Sequence, residues 1–404
     1  MQVSNRKTDY KVLLFLINPF LSALYSLKNI RDGGTPHFLY LWFLIFGIGF
    51  CAMSESADSY RYVEDFMTEC RYTWPQYVYQ INEYLTFESN IKDIYTLTVN
   101  VFVGTFTDNY HWTFFIYSIV FGFFYIKSMQ VFLANSKIIG NIFFFLLLFL
   151  FCFSNPIYNI NGVRFWTASW IGVYAVLKAV MDKKAYYLLL LLVTPLIHGT
   201  FSIWIAMVLC ALFLGRFHMV WKVLFVVSSF VSAVSFLSVL DDYSDLLPQF
   251  MQNQIWAYTQ SDEALKKMSG ELTEQLPLYA QVFNALPTYF MLMLSYIVVF
   301  NRRLFISSPN SRVLFNVYVA MVTIANFLSG IPSMGRFLFP LIPLLVVLWA
   351  MNDDKLRKFD NVFYLIPFIY WYAVLQWLRR IDAVTELFLY LLPAPITIIK
   401  YLFL

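Results

Sequence analysis

The sequence predicts an all-α polytopic membrane protein: one integral membrane domain over 1–404, about twelve transmembrane helices (11–14), and two long loops on one side. Three observations predict it. Hydrophobic residues make up 60% of the 404 residues and charged residues only 13%, against about 25% charged in a soluble domain. Apolar runs recur along the whole chain at lengths suited to a bilayer core of roughly 30 Å, which needs about 20 residues per helix. Basic residues collect in alternate connections between those runs.

Taken in order, the expected spans centre on 12–27, 37–53, 110–126, 139–154, 164–180, 185–197, 199–214, 219–240, 278–300, 312–330, 336–350 and 361–377. The first run has no small-residue cleavage site after it and is followed by Lys28 and Arg31, so it reads as a retained span. A last apolar stretch, 385–404, is broken by Pro393 and Pro395 and either spans or lies in the interface.

The connections set the expected orientation. Lys28/Arg31, Lys127/Lys137, Lys183/Lys184, Arg216/Lys222, Arg302/Arg303/Arg312 and Lys355/Arg357/Lys358 mark one alternating set, which the positive-inside rule places in the cytoplasm. The other set faces outward and includes two acidic loops, 54–109 and 241–277. The N-terminus, with Arg6, Lys7 and Lys11, falls on the outer side and breaks the pattern; a misplaced first span would explain it. Within the first loop, 59–85 is rich in Tyr and Trp and reads as amphipathic helices on the membrane face. The apolar stretch 94–107 reads as re-entrant or interfacial. In the second loop, "SDEALKKMSGELTEQ" reads as a helix and a turn.

Composition also excludes. The net charge of +4 is small and dispersed, which argues against a nucleic-acid partner. The four cysteines lack metal-ligand spacing. There is no Walker loop, HExxH, GxSxG or dinucleotide fingerprint. Charges in mid-span are scarce, which weakens ion-coupled transport.

Four residues stand out against this background. Asp58 follows the second span in "SESADSYRY". Arg164 opens the fifth in "NINGVRFWTASW", where facing lipid would cost roughly 2.5–3.5 kcal/mol. His198 sits in the tight turn "TPLIHGT", and Arg336 in "GIPSMGRFLFPLIP". Each has a structural reading: snorkelling arginines, a turn histidine bonded to a carbonyl, an aspartate capping a helix. Yet all four fall at outer ends of spans, and that side was assigned from other residues. Two arginines, a histidine and a carboxylate on one face suit an anionic ligand. Arginine grips phosphate in a planar fork, and histidine exchanges a proton near neutral pH. With an apolar outer leaflet beside them, a lipid-tailed diphosphate is the expected substrate. No cluster of outer carboxylates has metal spacing, so metal independence and no cofactor are expected. Tyr60, Tyr62 and Trp74 read either as platforms for sugar rings or as interfacial belt residues, the latter slightly favoured.

Three patterns in chain order, "ADSYRY", "NGVRFWTA" with "LIHGT", and "GRFLFPLIP", resemble the EpsG family of bacterial membrane proteins, which includes Wzy-type O-antigen and capsule polymerases. A common "R-Q" pairing in the middle motif is "RF" here, so no glutamine role carries over. The resemblance implies a membrane glycosyltransferase of C-type architecture in the bacterial inner membrane. It implies transfer of a growing glycan from undecaprenyl diphosphate to the terminal sugar of a new lipid-linked repeat unit, on the periplasmic face. Its partners would be the lipid-linked donor and acceptor, membrane lipids and a chain-length regulator. Arg164 and Arg336 would bind the diphosphate. His198 is the favoured base and Asp58 the alternative, otherwise an acceptor contact. An O-antigen ligase or single-addition glycosyltransferase shares this chemistry. A lipid-linked glycan transporter would show inverted repeats, and a scaffold would not need the four aligned residues.

Overall fold

The computed structural model describes residues 2–30, 32, 34–53, 55, 57–86, 93–136, 142–231, 252, 276–331, 333–379 and 381–403. Among them the chain is helix and turn, with strand pairing limited to one isolated bridge between Phe50 and Thr385. Five helical runs are long and apolar enough to cross a bilayer: His111–Asn135, Ile142–Asp182, Leu278–Phe300, Pro309–Leu328 and Met334–Met351. A sixth counts if Asp353–Phe363 and Ile366–Ala383, bent by 61°, are one span. The protein is therefore a polytopic helical membrane protein. Of the expected span 219–240 only 219–231 lies within the described residues, and the expected spans at 37–53, 185–197 and 199–214 fall on apolar helices of 10–17 residues. These are shorter than a bilayer core requires. The expected loop 241–277 lies outside the described residues, apart from Gln252 and 276–277.

The helices that frame the site are α1 (Gln2–Ile17), α2 (Pro19–Lys28), α3 (Thr35–Ile48), α4 (Asp58–Glu69), α5 (Trp74–Thr86), α6 (Tyr95–Gly104), α7 (His111–Asn135), α8 (Ile142–Ser154) and α9 (Val163–Asp182). The expected first span, 12–27, is corrected to a hairpin. Asn18 leaves the helical path, its side chain accepts a hydrogen bond from Leu21 N at 2.8 Å, and Pro19 opens α2. Tyr10 then packs on Tyr25, and buried Lys11 donates to Thr35 Oγ1 at 2.8 Å. The start of α1 thus lies at the same end of the bundle as Lys28, which removes the exception in the charge pattern.

The run Ile142–Asp182 is two arms rather than one rod. Asn155 Nδ2 donates to Trp166 O at 3.0 Å, and the Phe151 and Trp170 rings lie 5.4 Å apart. The chain reverses through Pro156 and the 3-10 turn Ile157–Gly162, which separates the helices that fall within the expected spans 139–154 and 164–180. Small residues let the helices close up, as membrane packing requires. A Cβ on Gly47 of α3 would lie 2.3 Å from Ser118 Oγ of α7, and one on Gly172 of α9 would lie 2.6 Å from Trp204 Nε1. Helix Leu341–Met351 is buried on every side from Leu341 to Ala350, the pattern of a helix at the centre of a bundle. It packs on α7, α8, α9 and Pro309–Leu328.

At the other end from Lys28, α4 and α5 form the short helices expected over 59–85. The apolar α6 has ten residues and packs on α4 and α7 without the length to span. The C-terminal stretch does not cross as one helix. It pairs with the end of α3 through Cys51 N to Val384 O at 2.7 Å, and Tyr390 packs against Phe20 and Trp42. It then returns as Ala394–Leu402, where Tyr401 O accepts from Asn109 Nδ2 at 2.8 Å.

Candidate active site

Four segments far apart in sequence line one cavity of about 240 Å³. The start of α4 supplies Asp58 and Tyr62, and the reversal before α9 supplies Asn159 and Asn161. The first turn of α9 supplies Arg164 and Trp166. His198 follows the one-turn helix Thr194–Ile197, and Arg336 stands in the 3-10 turn Met334–Leu338. Asp58, Tyr62, Arg164, His198 and Arg336 are therefore brought together. Tyr60 and Trp74 are not among the lining residues; Trp74 is 70% exposed and packs on Tyr77.

The local sequence builds this floor. Asn155 is a buried hub: its Nδ2 donates to Trp166 O, its Oδ1 accepts from Asn159 Nδ2 at 2.9 Å, and its carbonyl accepts from Trp170 Nε1 at 3.1 Å. These bonds hold the reversal that aims Arg164. Asn161 Oδ1 accepts from Ser59 N at 3.3 Å and ties α4 to the same turn. Ser333 takes a left-handed backbone (φ 67°) just before the turn that carries Arg336, a conformation uncommon outside glycine.

The two arginines are not equivalent. Arg164 donates from Nη1 to Asp93 Oδ2 at 2.9 Å and from Nε to Tyr62 OH at 3.3 Å, with its guanidinium 5.5 Å from the Tyr62 ring centre. Its side chain is 29% exposed and that of Asp93 only 2%. Two of the five N–H donors of a guanidinium are so used, leaving three for a ligand. Arg336 is exposed, and no ion pair involves it among the described residues. Asp58 Oδ1 pairs with Arg61 at 2.5 Å, both side chains partly in solvent. His198 Nδ1 shares a 2.8 Å hydrogen bond with Thr200 Oγ1, and its ring stands edge-on to Phe165.

Behind the cavity lies a set of carboxyl groups. Burial pushes Asp93 up to about 6, against the pull of Arg164. Burial also pushes Glu69 up to about 7, opposed by a hydrogen bond from Asn100 Nδ2 at 2.8 Å. Asp65 is raised by burial and drawn back by Arg164. Among the described residues no three His, Cys, Asp or Glu side chains gather as metal ligands.

Asp93, Asn159, Asn161 and Trp166 escaped the sequence reading. The missed signal for Asp93 was its position at the mouth of the apolar stretch 94–107. A buried arginine needs a counter-charge, and Asp93 is the carboxylate that opens that stretch.

Neither the curated proteins nor the solved structures compared with this chain give a match. A family model described as "EpsG family" matches residues 10–391, nearly the whole chain. That family is associated with Wzy-type polymerases and suggests a polysaccharide polymerase-type function. The chain belongs to the EpsG family.

Proposed function

We propose that the protein polymerises lipid-linked oligosaccharide repeat units, transferring the growing glycan from undecaprenyl diphosphate to a new lipid-linked repeat at the periplasmic face of the inner membrane. The observation that carries this reading is the convergence of Asp58, Arg164, His198 and Arg336 on one cavity. In the reaction the acceptor hydroxyl oxygen attacks C1 of the donor glycan. The C1–O bond to the diphosphate breaks, and undecaprenyl diphosphate leaves with the electron pair. Fixed cations aimed at that developing charge contribute a few kcal/mol each. Arg336 supplies uncompensated charge, and Arg164, anchored by Asp93 and Tyr62, supplies directed N–H donors. In the tautomer that donates Nδ1–H to Thr200, Nε2 of His198 accepts the hydroxyl proton, a role worth roughly 10²–10⁴-fold. Asp58 contacts the acceptor, Asn159 and Asn161 offer amides to sugar hydroxyls, and Tyr62 serves the arginine rather than a sugar. The positive charge the reaction needs comes from arginine, so EDTA leaves turnover unchanged.

The experiment is incubation of purified protein with synthetic undecaprenyl-diphosphate repeat units. A ladder of chain lengths supports the polymerase. A single addition, seen only when lipid A core or another sugar acceptor is supplied, would instead favour a ligase or single-addition glycosyltransferase.

A further inference from the structure

A second cavity, of about 280 Å³ and lined almost wholly by apolar atoms, lies beside the polar one. Its placement follows from three chain neighbours. Ile171 on its wall comes seven residues after Arg164 on α9, which puts it on the same helix face and about 10.5 Å along the axis. Ile94, also on its wall, adjoins Asp93, and Ile197 adjoins His198. Ile94 N–H donates to Leu196 O at 3.1 Å, closing a threshold between the two spaces. The lining hydroxyl of Thr98 is turned back onto Ile94 O at 2.6 Å. Val193 and Leu196, 43% and 37% exposed, form its open side.

We infer that this crevice holds the head-proximal part of the polyprenyl tail of a lipid diphosphate whose anionic head lies at Arg164 and Arg336. The inference rests on the polymerase reading for the identity of that lipid. Its own support is an uncharged crevice set beside a cationic cavity, with Ile171 and Arg164 on one face of α9 and with Ile94 and Ile197 next in the chain to Asp93 and His198. Bilayer tails are as apolar as the crevice, so moving a chain into it gains no hydrophobic free energy. The crevice therefore contributes placement: it fixes the depth and direction from which the diphosphate meets the arginines.

The test uses a polyprenyl diphosphate carrying a diazirine near its head, photolysed with the full-length protein in phosphatidylethanolamine–phosphatidylglycerol nanodiscs and mapped by peptide mass spectrometry. Label is expected on 94–98 and 190–197. Excess unlabelled undecaprenyl diphosphate should remove it and excess phosphatidylglycerol should not. Leu196→Trp, which fills the crevice from its open side, should lower it to the level of peptides elsewhere on the bundle. Label spread evenly over lipid-facing helices, or displaced equally by phosphatidylglycerol, overturns the assignment. If the protein builds ladders while the label misses the crevice, the tail site falls and the polymerase reading stands. If the crevice labels specifically but no ladder forms, the reverse holds.

Discussion

Arg164 Nη1 lies 2.9 Å from Asp93 Oδ2, and the carboxylate is almost completely enclosed. A buried pair of this kind adds little stability as a unit, but removing one member strands the other. Asp93→Ala should therefore destabilise the protein by about 3–5 kcal/mol, read as a large fall in unfolding temperature in detergent. Asp93→Asn keeps an acceptor for Nη1 and should lose less. Equal stability of wild type and Asp93→Ala would mean the pair does not form.

The same pair separates the roles of the two arginines. Arg336→Lys keeps a mobile charge at an exposed site and should retain activity to within about tenfold, whereas Arg336→Ala should lose about 100-fold or more. Arg164→Lys cannot reach Asp93 and Tyr62 while still facing the cavity, because it lacks the planar fork. It should behave nearly like Arg164→Ala. Steady-state rates on folded, monodisperse variants decide this, and an Arg164→Lys enzyme as active as Arg336→Lys would contradict the anchored geometry.

Glu69 and Asp93 give a pH dependence with a definite sign. Both carboxyls are raised by burial, to about 7 and about 6, so the folded chain binds more protons than the unfolded chain between about pH 4 and 7. Stability should fall as pH rises through that window. Glu69→Gln keeps an acceptor for Asn100 and removes the charge. It should raise stability at pH 7.5 by roughly 1–3 kcal/mol and flatten the pH profile of unfolding temperature. A variant with an unchanged profile would show that Glu69 stays ionised in the folded state at lower pH.

Orientation is open to direct measurement. In a background lacking the four native cysteines, a cysteine at Lys183 or Lys355 should react only with reagent on the cytoplasmic side. One at exposed Trp74 should react only from the outside. Labelling with the sides exchanged would move the cavity to the cytoplasm and end the periplasmic reading.

Much of this was legible in the sequence because membrane insertion penalises charge. Asp58, Arg164, His198 and Arg336 stood out as polar groups at the ends of apolar runs, and they line one cavity. Asp93 did not stand out, because a carboxylate in an acidic loop looks solvated until its partner is known. The count of spans read less well. Composition cannot distinguish a full crossing from a shorter helix backed by protein, as with Phe201–Leu214, or from a hairpin turned by an Asn-Pro pair, as at Asn18. Tyr62 read as a belt residue or sugar platform, yet it is buried and bonded to Arg164.

The central claim is that this cavity carries out glycan transfer with His198 as the base. The most direct measurement is single-turnover chain extension by purified wild type and His198→Ala on synthetic undecaprenyl-diphosphate repeat units, with donor binding measured in parallel. The account predicts a ladder from the wild type, a rate lower by roughly 10²–10⁴-fold in the variant, and nearly unchanged donor affinity. A wild type that builds no ladder, or a His198→Ala variant that extends chains at near wild-type rate, would contradict it.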